Sequence, residues 1–211
     1  MIRRLALLLL LLAPTVGRAG PLEDGIVMLQ HDWELIRYQT PAAEREKRFE
    51  ALAAKAHEFS EANPQRSEPL VWEGIIVSSW AGEKGGLGAL SLVKKAKALY
   101  ENAIRIDAGA LEGSALNSLG VLYYKVPGWP IGFGDKDKAR ELIGKALQIN
   151  PNGIDPNYFY GEFLLETGHA AEAATYLERA LAAPPRPGRQ VADTGRREEA
   201  RALLEKARAA R

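Results

Sequence analysis

The sequence predicts an all-α protein, a right-handed solenoid of antiparallel helix hairpins with about eight to nine helices. Three observations carry that prediction. A stripe of a small residue, a bulky apolar residue and an alanine at i, i+4, i+7 recurs four times. A second apolar stripe precedes three of the four copies, and proline or glycine punctuates the segments between them. Nothing in the chain reads as a sheet.

Residues 1–19 predict a leader. Met1-Ile2-Arg3-Arg4 is a basic start, Leu5 to Ala13 is an unbroken apolar run, and Gly17-Arg18-Ala19 supplies small residues before a cut after Ala19. The run is about half of the roughly 20 residues needed to cross a bilayer, so a cleaved signal is expected rather than an anchor. The mature protein is then periplasmic or secreted. Removing Arg3, Arg4 and Arg18 lowers 28 basic residues to 25 against 27 acidic ones, a mature charge of −2. A near-neutral chain without a basic stripe does not suit nucleic acid, whose phosphates supply most of the affinity. With no cysteine there is neither a disulfide nor a thiolate metal site, so the core alone must hold the fold. No segment after residue 19 is long and apolar enough to span a membrane.

Residues 20–64 read as a capping hairpin. Ile26, Leu29, Trp33 and Ile36 share one helix face; Phe49, Leu52, Ala53, Ala56 and Phe59 share another, with a break at Thr40-Pro41 and a stop at Asn63-Pro64. Residues 65–185 hold about three further hairpins. Their first helices carry Trp72-Ile75-Ile76-Ser79, Leu116-Leu119-Gly120-Tyr123 and Asn157-Tyr160-Gly161-Leu164. Their second helices carry Ala96-Tyr100-Ala103, Ala139-Ile143-Ala146 and Ala173-Leu177-Ala180. Isolated glycines at 120 and 161 cost about 1 kcal/mol each against alanine and predict close helix crossings. Asp155 reads as an N-cap ahead of Pro156, and Gly168 as a stop. Two long inner loops are expected, Ala81–Ser91 and Lys125–Gly134. Residues 186–211 read as a capping helix from about 196 to 210, charged on its outer face, closing the far end of an open stack.

These stripes resemble tetratricopeptide repeats. Tyr160-Gly161 with Ala173, Leu177, Ala180 and Pro185 fits that pattern best, and Leu119-Gly120-Tyr123 with Ala139, Ala146 and Pro151 follows it. The step from Ala96 to Ala139 is longer than the roughly 34 residues of the family. The long loops are similar to those of the periplasmic T-components of tripartite (TRAP) transporters and of the related regulators of microtubule dynamics. The wider resemblance implies a binding or adaptor role; the narrower one implies a transporter solute-receptor subunit as the partner.

A stack of hairpins presents a concave wall made by the first helix of each. The face expected to line it is Glu73, Val77 and Trp80 on the first hairpin, Asn117, Val121 and Tyr124 on the second, and Tyr158 and Glu162 on the third. Leu70, Ser114 and Leu165 extend the same stripes. This surface contains no Lys or Arg, which predicts against a clamp for a carboxylate terminus. It suits an extended peptide packed on Trp80, Tyr124 and Tyr158, or a small apolar ligand held in a helix-lined channel. The alternative is that these aromatics pack on their own loops. Trp129 and Phe133 on the second loop either dock a partner as a lid or plug the neighbouring hairpin. His31, His57 and His169 have no second ligand at i+4, and no nucleophile elbow or phosphate loop is present. The glycines from Gly82 to Gly88 read as a flexible hairpin loop. No enzyme, metal or cofactor is expected; a protein or peptide partner is, and self-association is left open.

Overall fold

Residues 20–210 are described by the structure, a computed structural model; the leader pattern of residues 1–19, with its cut after Ala19, lies outside them, as does Arg211. Among the described residues there are nine helices and no strand: α1 (Pro21–Gln39), α2 (Ala42–Glu61), α3 (Ser67–Lys84), α4 (Gly86–Asp107), α5 (Ala110–Lys125), α6 (Lys136–Ile149), α7 (Ile154–Glu166), α8 (Ala170–Ala182) and α9 (Gln190–Ala209).

The repeated stripes build the hairpins. Ala96, Tyr100 and Ala103 of α4, Ala139, Ile143 and Ala146 of α6, and Ala173, Leu177 and Ala180 of α8 are all buried. Each bulky residue seats on a glycine of the preceding helix. A Cβ at Gly120 would lie 2.5 Å from Ile143 Cγ1, one at Gly161 2.8 Å from Leu177 Cγ, and one at Gly74 2.5 Å from Tyr100 Cε1. The helix-propensity cost of each glycine, about 1 kcal/mol, is offset by the roughly 2 kcal/mol gained on burying the side chain above it.

Gly74, not Ile76, is therefore the counterpart of Gly120 and Gly161. The stripe expected for the first hairpin is displaced by two residues, and at about 100° per residue that turns the helix face by about 200°. Glu73 and Val77 consequently point away from the concave side and are fully buried, at 0% and 1% exposure. Ser60 Oγ donates to Glu73 at 2.5 Å, Lys95 Nζ at 2.8 Å, and His57 Nδ1 lies 3.0 Å away. The carboxylate thus ties α2, α3 and α4 together.

The expected loop Ala81–Ser91 is mostly helix. α3 runs on to Lys84 and α4 starts at Gly86, with the reversal confined to Gly85 and Gly86 at φ of 64° and 57°. Only glycine adopts that conformation at little cost. The flexible loop read into Gly82–Gly88 is thereby corrected. The second expected loop is present. It is folded on itself, with Gly134 N donating to Pro127 O at 2.9 Å and Asp135 N to Tyr123 O at 2.8 Å. Asp135 then caps α6 by accepting from the amides of Asp137 and Lys138. Asp155 is not a cap: α7 begins at Ile154 after Gly153, and the Asp155 carboxylate turns to arginines instead. Within the span of α5, Leu111, Glu112 and Gly113 take left-handed conformations, so the regular helix starts near Ser114.

The odd-numbered helices form an inner layer and the even-numbered ones lie outside it. Each inner helix touches the next, α1 on α3, α3 on α5, α5 on α7 and α7 on α9, and α9 returns to α1. The ends of the stack meet, where an open stack is expected from the sequence. α9 starts at Gln190, earlier than the expected 196, and the added turns make the seam. Glu34, 2% exposed, accepts from Arg189 Nε at 3.3 Å and Ala192 N at 3.2 Å. Arg37 Nη2 donates to Glu199 at 2.8 Å, Tyr38 OH donates to the other oxygen at 3.3 Å, and the Tyr38 ring rests against Gly195.

Candidate functional site

The inner ring encloses a cavity of about 1330 Å³. Its lining reaches Leu87, Val126 and Ile131, at the rim where α3 and α5 end. It also reaches Leu111, Asn152 and Arg186, at the opposite rim where α5, α7 and α9 begin. The cavity is thus a channel whose lining runs from one rim of the ring to the other. Its volume exceeds the roughly 300–1,000 Å³ usual for a small-molecule site. The walls are mainly apolar: Trp33 from α1, Trp72 and Ile75 from α3, Val121 from α5, and Tyr158 and Phe159 from α7.

Of the residues expected on the concave wall, Asn117, Val121, Tyr158 and Glu162 do line the channel. Glu73, Val77 and Trp80 do not, for the two-residue displacement already described; Trp80 is partly buried beside the core with Lys84 Nζ 5.7 Å from its ring centre. Tyr124 is also off the wall. It sits between α5 and α7, its hydroxyl donating to Glu162 Oε2 at 2.6 Å and its ring 5.6 Å from Phe163. Burial, with Glu162 adding to it, pushes its phenol well above the usual range. Trp72 and Ile75 take the places expected for the displaced residues. Phe133 is a plug, edge-on to Tyr123 at 5.5 Å, whereas Trp129 projects from the same loop 90% exposed.

The expectation of an inner surface without Lys or Arg is overturned. Arg37, Lys125, Arg186, Arg189 and Arg196 all line the channel. Lys125 lies one turn beyond Val121; the arginines arrive from α1, α9 and the segment leading into α9, which only ring closure brings to the wall. Most are paired. Lys125 meets Glu162 at 3.1 Å and also Glu166; burial lowers its ammonium pKa, but these two carboxylates outweigh that and raise it. Arg186 Nη1 donates to Asp155 Oδ2 at 2.6 Å, Arg196 Nε donates to Asp155 Oδ1 at 2.8 Å, and Arg196 Nη1 donates to Glu199 at 2.6 Å. The Arg196 guanidinium also lies 4.5 Å from the ring centres of both Tyr158 and Phe159, which meet edge-to-face at 5.0 Å, so one cation contacts two rings.

Burial raises the Asp155 carboxyl pKa, yet Arg186 and Arg196 outweigh it and hold the group well below the usual carboxylate range. A depressed native pKa stabilises fully above the unfolded value of about 3.9 and is lost as pH falls through the native one. Asp155→Asn is therefore expected to cost about 2 kcal/mol at neutral pH, the worth of charged hydrogen bonds left without their acceptor. Urea unfolding should show the gap from wild type narrowing at about pH 3, below the unfolded carboxylate pKa. A gap that is constant between the two pH values counts against the Asp155 pairing.

Among the described residues no cluster of His, Cys, Asp or Glu side chains is arranged to hold a metal ion, and no helix is long and apolar enough to cross a membrane. Fold and channel together define a helical-repeat protein with an inner channel. A family model described as tetratricopeptide repeat matches residues 131–193, which cover α6, α7, α8 and the start of α9. Repeats of this type serve protein–protein interaction and adaptor roles. No curated protein matches the chain.

Proposed function

We propose that this protein is a non-catalytic adaptor that takes a segment of a partner protein, in extended form, into the channel of its helix ring. One observation carries the proposal: five inner helices, with the start of α4 and the segment ahead of α9, surround an aromatic-walled channel whose lining runs from one rim of the ring to the other. A closed ring admits a chain end through a mouth far more readily than a folded surface. The tetratricopeptide match supports a protein as the occupant. The basic start and apolar run of residues 1–19 support export to the periplasm or outside the cell. A role beside a transporter rests on the 125–134 loop alone, because the other loop behind that resemblance is helical.

A second reading is a carrier of a small apolar ligand, favoured by the mainly apolar walls that the ring of helices sets around the channel. Val121→Trp, and independently Ile75→Trp, would fill the channel from two walls. Either is expected to cut recovery of the co-purifying partner from cell extract at least tenfold, a loss of about 1.4 kcal/mol or more. Undiminished recovery with both folded variants sinks the channel reading. Native mass spectrometry of the purified protein separates the two occupants: a peptide mass or a small organic mass displaced by the tryptophan.

A further inference from the structure

The rim where α3 and α5 end carries the three most exposed large apolar side chains among the described residues. Trp129 is 90% exposed, Leu87 85% and Ile131 63%. Leu87 follows the Gly85-Gly86 turn between α3 and α4; Trp129 and Ile131 stand on the loop between α5 and α6. Leu87 and Ile131 also border the same end of the channel, so the two turns share one rim. The second loop is fixed on its own base. Gly132 N donates to Gly128 O at 3.1 Å, Gly134 N donates to Pro127 O at 2.9 Å, and Phe133 sits edge-on to Tyr123. A Cβ at Gly132 would lie 2.5 Å from Pro127 O, so the loop packs this tightly only with glycine there. A loop held so firmly nonetheless leaves Trp129 in solvent. The opposite rim differs: its exposed large apolar residues are Ile106 and Ile149, at 40% and 44%, beside the polar turns Gln65-Arg66 and Asn150-Pro151-Asn152.

Charge follows the same layout. Residues 85–93 and 126–134 contain no charged side chain, and lysines bound both segments: Lys84, Lys94 and Lys95 on the first, Lys125 and Lys136 on the second. The acids next to these segments are engaged. Glu83 faces Arg37 and Arg45 at 3.7 and 4.0 Å, and Asp135 accepts from the first amides of α6. Lys94 and Lys136 are exposed and have no carboxylate partner among the described residues. Uncharged tips ending in Trp, Leu and Ile, with lysines set behind them, match the layering of a bilayer surface. Indole and aliphatic side chains enter the boundary between headgroups and acyl chains, while cations stay level with anionic headgroups. We propose that this rim docks the protein on the surface of a lipid bilayer containing anionic lipid, with Trp129, Leu87 and Ile131 inserted. A protein partner would need a separate pocket for each of the two tips, whereas a fluid bilayer admits both. Docked so, the end of the channel bordered by Leu87 and Ile131 faces the membrane.

Vesicle flotation of the purified protein tests this with two compositions, phosphatidylcholine alone and phosphatidylcholine with about 30% phosphatidylglycerol. Wild type is expected to float with the anionic vesicles and far less with the neutral ones. Trp129→Ser combined with Leu87→Ser, both at exposed positions, should weaken partition about tenfold and leave Tm unchanged. Lys94→Gln combined with Lys136→Gln should weaken binding to the anionic vesicles about tenfold and leave the neutral ones nearly unaffected. Residues 1–19 are common to every variant, so a second readout separates them from the rim. Lipids brominated high on the acyl chain should quench Trp129 emission, read as the difference between wild type and Trp129→Ser. Such quenching, together with the losses in the variants, supports the bilayer. Flotation without quenching of Trp129, flotation unchanged in both pairs of substitutions, or no flotation with either vesicle overturns it. In the last case a dimer that Trp129→Ser dissociates would assign the rim to a second copy of the chain. None of these outcomes touches the channel reading, which stands or falls on partner recovery with Val121→Trp and Ile75→Trp.

Discussion

Glu73→Ala is expected to lower the stability of the fold by about 3 kcal/mol, the low end for removing one partner of a buried charge cluster. For a chain of this size that is roughly 6–12 °C in Tm. The carboxylate is wholly excluded from water and accepts from Ser60 and Lys95, with His57 beside it, so three helices depend on it at one point. The alanine leaves Ser60 Oγ, itself buried, with only the His57 carbonyl as acceptor, and opens a void between α2 and α3. Glu73→Gln, which keeps shape but not charge, should cost less than the alanine. Both variants should take up partner like wild type once folded, because the side chain points away from the channel. Thermal unfolding followed by circular dichroism reads the effect, and a shift below about 1 °C for the alanine would mean that Lys95 and His57 are solvated without it.

How much of this was legible in the sequence follows from the range of each signal. The small–bulky–alanine stripe is local, repeats four times and needs no knowledge of the partner helix, so α4, α6, α8 and the later part of α9 follow directly from it. Gly120 and Gly161 stood out for the same reason. The first hairpin was harder, because both Gly74 and Ile76 lie in an apolar stretch and only the Tyr100 ring seated on Gly74 fixes the register. A displacement of two residues was enough to exchange Trp72 and Ile75 for Glu73, Val77 and Trp80. On the third hairpin, where glycine and stripe agree, Tyr158 and Glu162 line the channel. The loop read into Gly82–Gly88 failed because glycine-dense sequence suggests length, whereas two left-handed glycines suffice to turn between helices that continue on either side. Ring closure was not legible at all. Glu34, Arg37 and Tyr38 are separated by more than 150 residues from Arg189 and Glu199, and charged residues on terminal helices read first as solvated faces. Hence every arginine of the channel was missed. The signal that could have found the seam is Gly195, an isolated glycine inside a helical stretch, which makes room for Tyr38.

That seam is where the ring is expected to open. Between α1 and α9 no short connecting turn holds the helices, unlike each sequential hairpin, so the contact depends on side chains. Glu34 takes the Arg189 guanidinium and the Ala192 amide, and Glu199 takes Arg37, Tyr38 and Arg196. Replacing both carboxylates by alanine leaves three arginines crowded and a buried amide unpaired, at a cost of about 3 kcal/mol against contacts that the hairpins do not share. The sequential hairpins keep their own stripes and should remain folded, so the loss is expected to appear as separation of α1 from α9 rather than as global unfolding. The chain has no cysteine of its own, so Val27→Cys and Arg201→Cys, both on exposed positions, can carry a pair of spin labels. A narrow distance distribution is expected in the otherwise wild-type protein, and a longer, broader one with Glu34→Ala and Glu199→Ala. An unchanged distribution would show that apolar packing of Ala192 on α1 closes the ring without the ion pairs. An opened seam also bears on how the channel fills: a closed ring takes a ligand only through its mouths, whereas an open one exposes the wall along its whole length, so partner association should become faster in the double variant while its release becomes faster still.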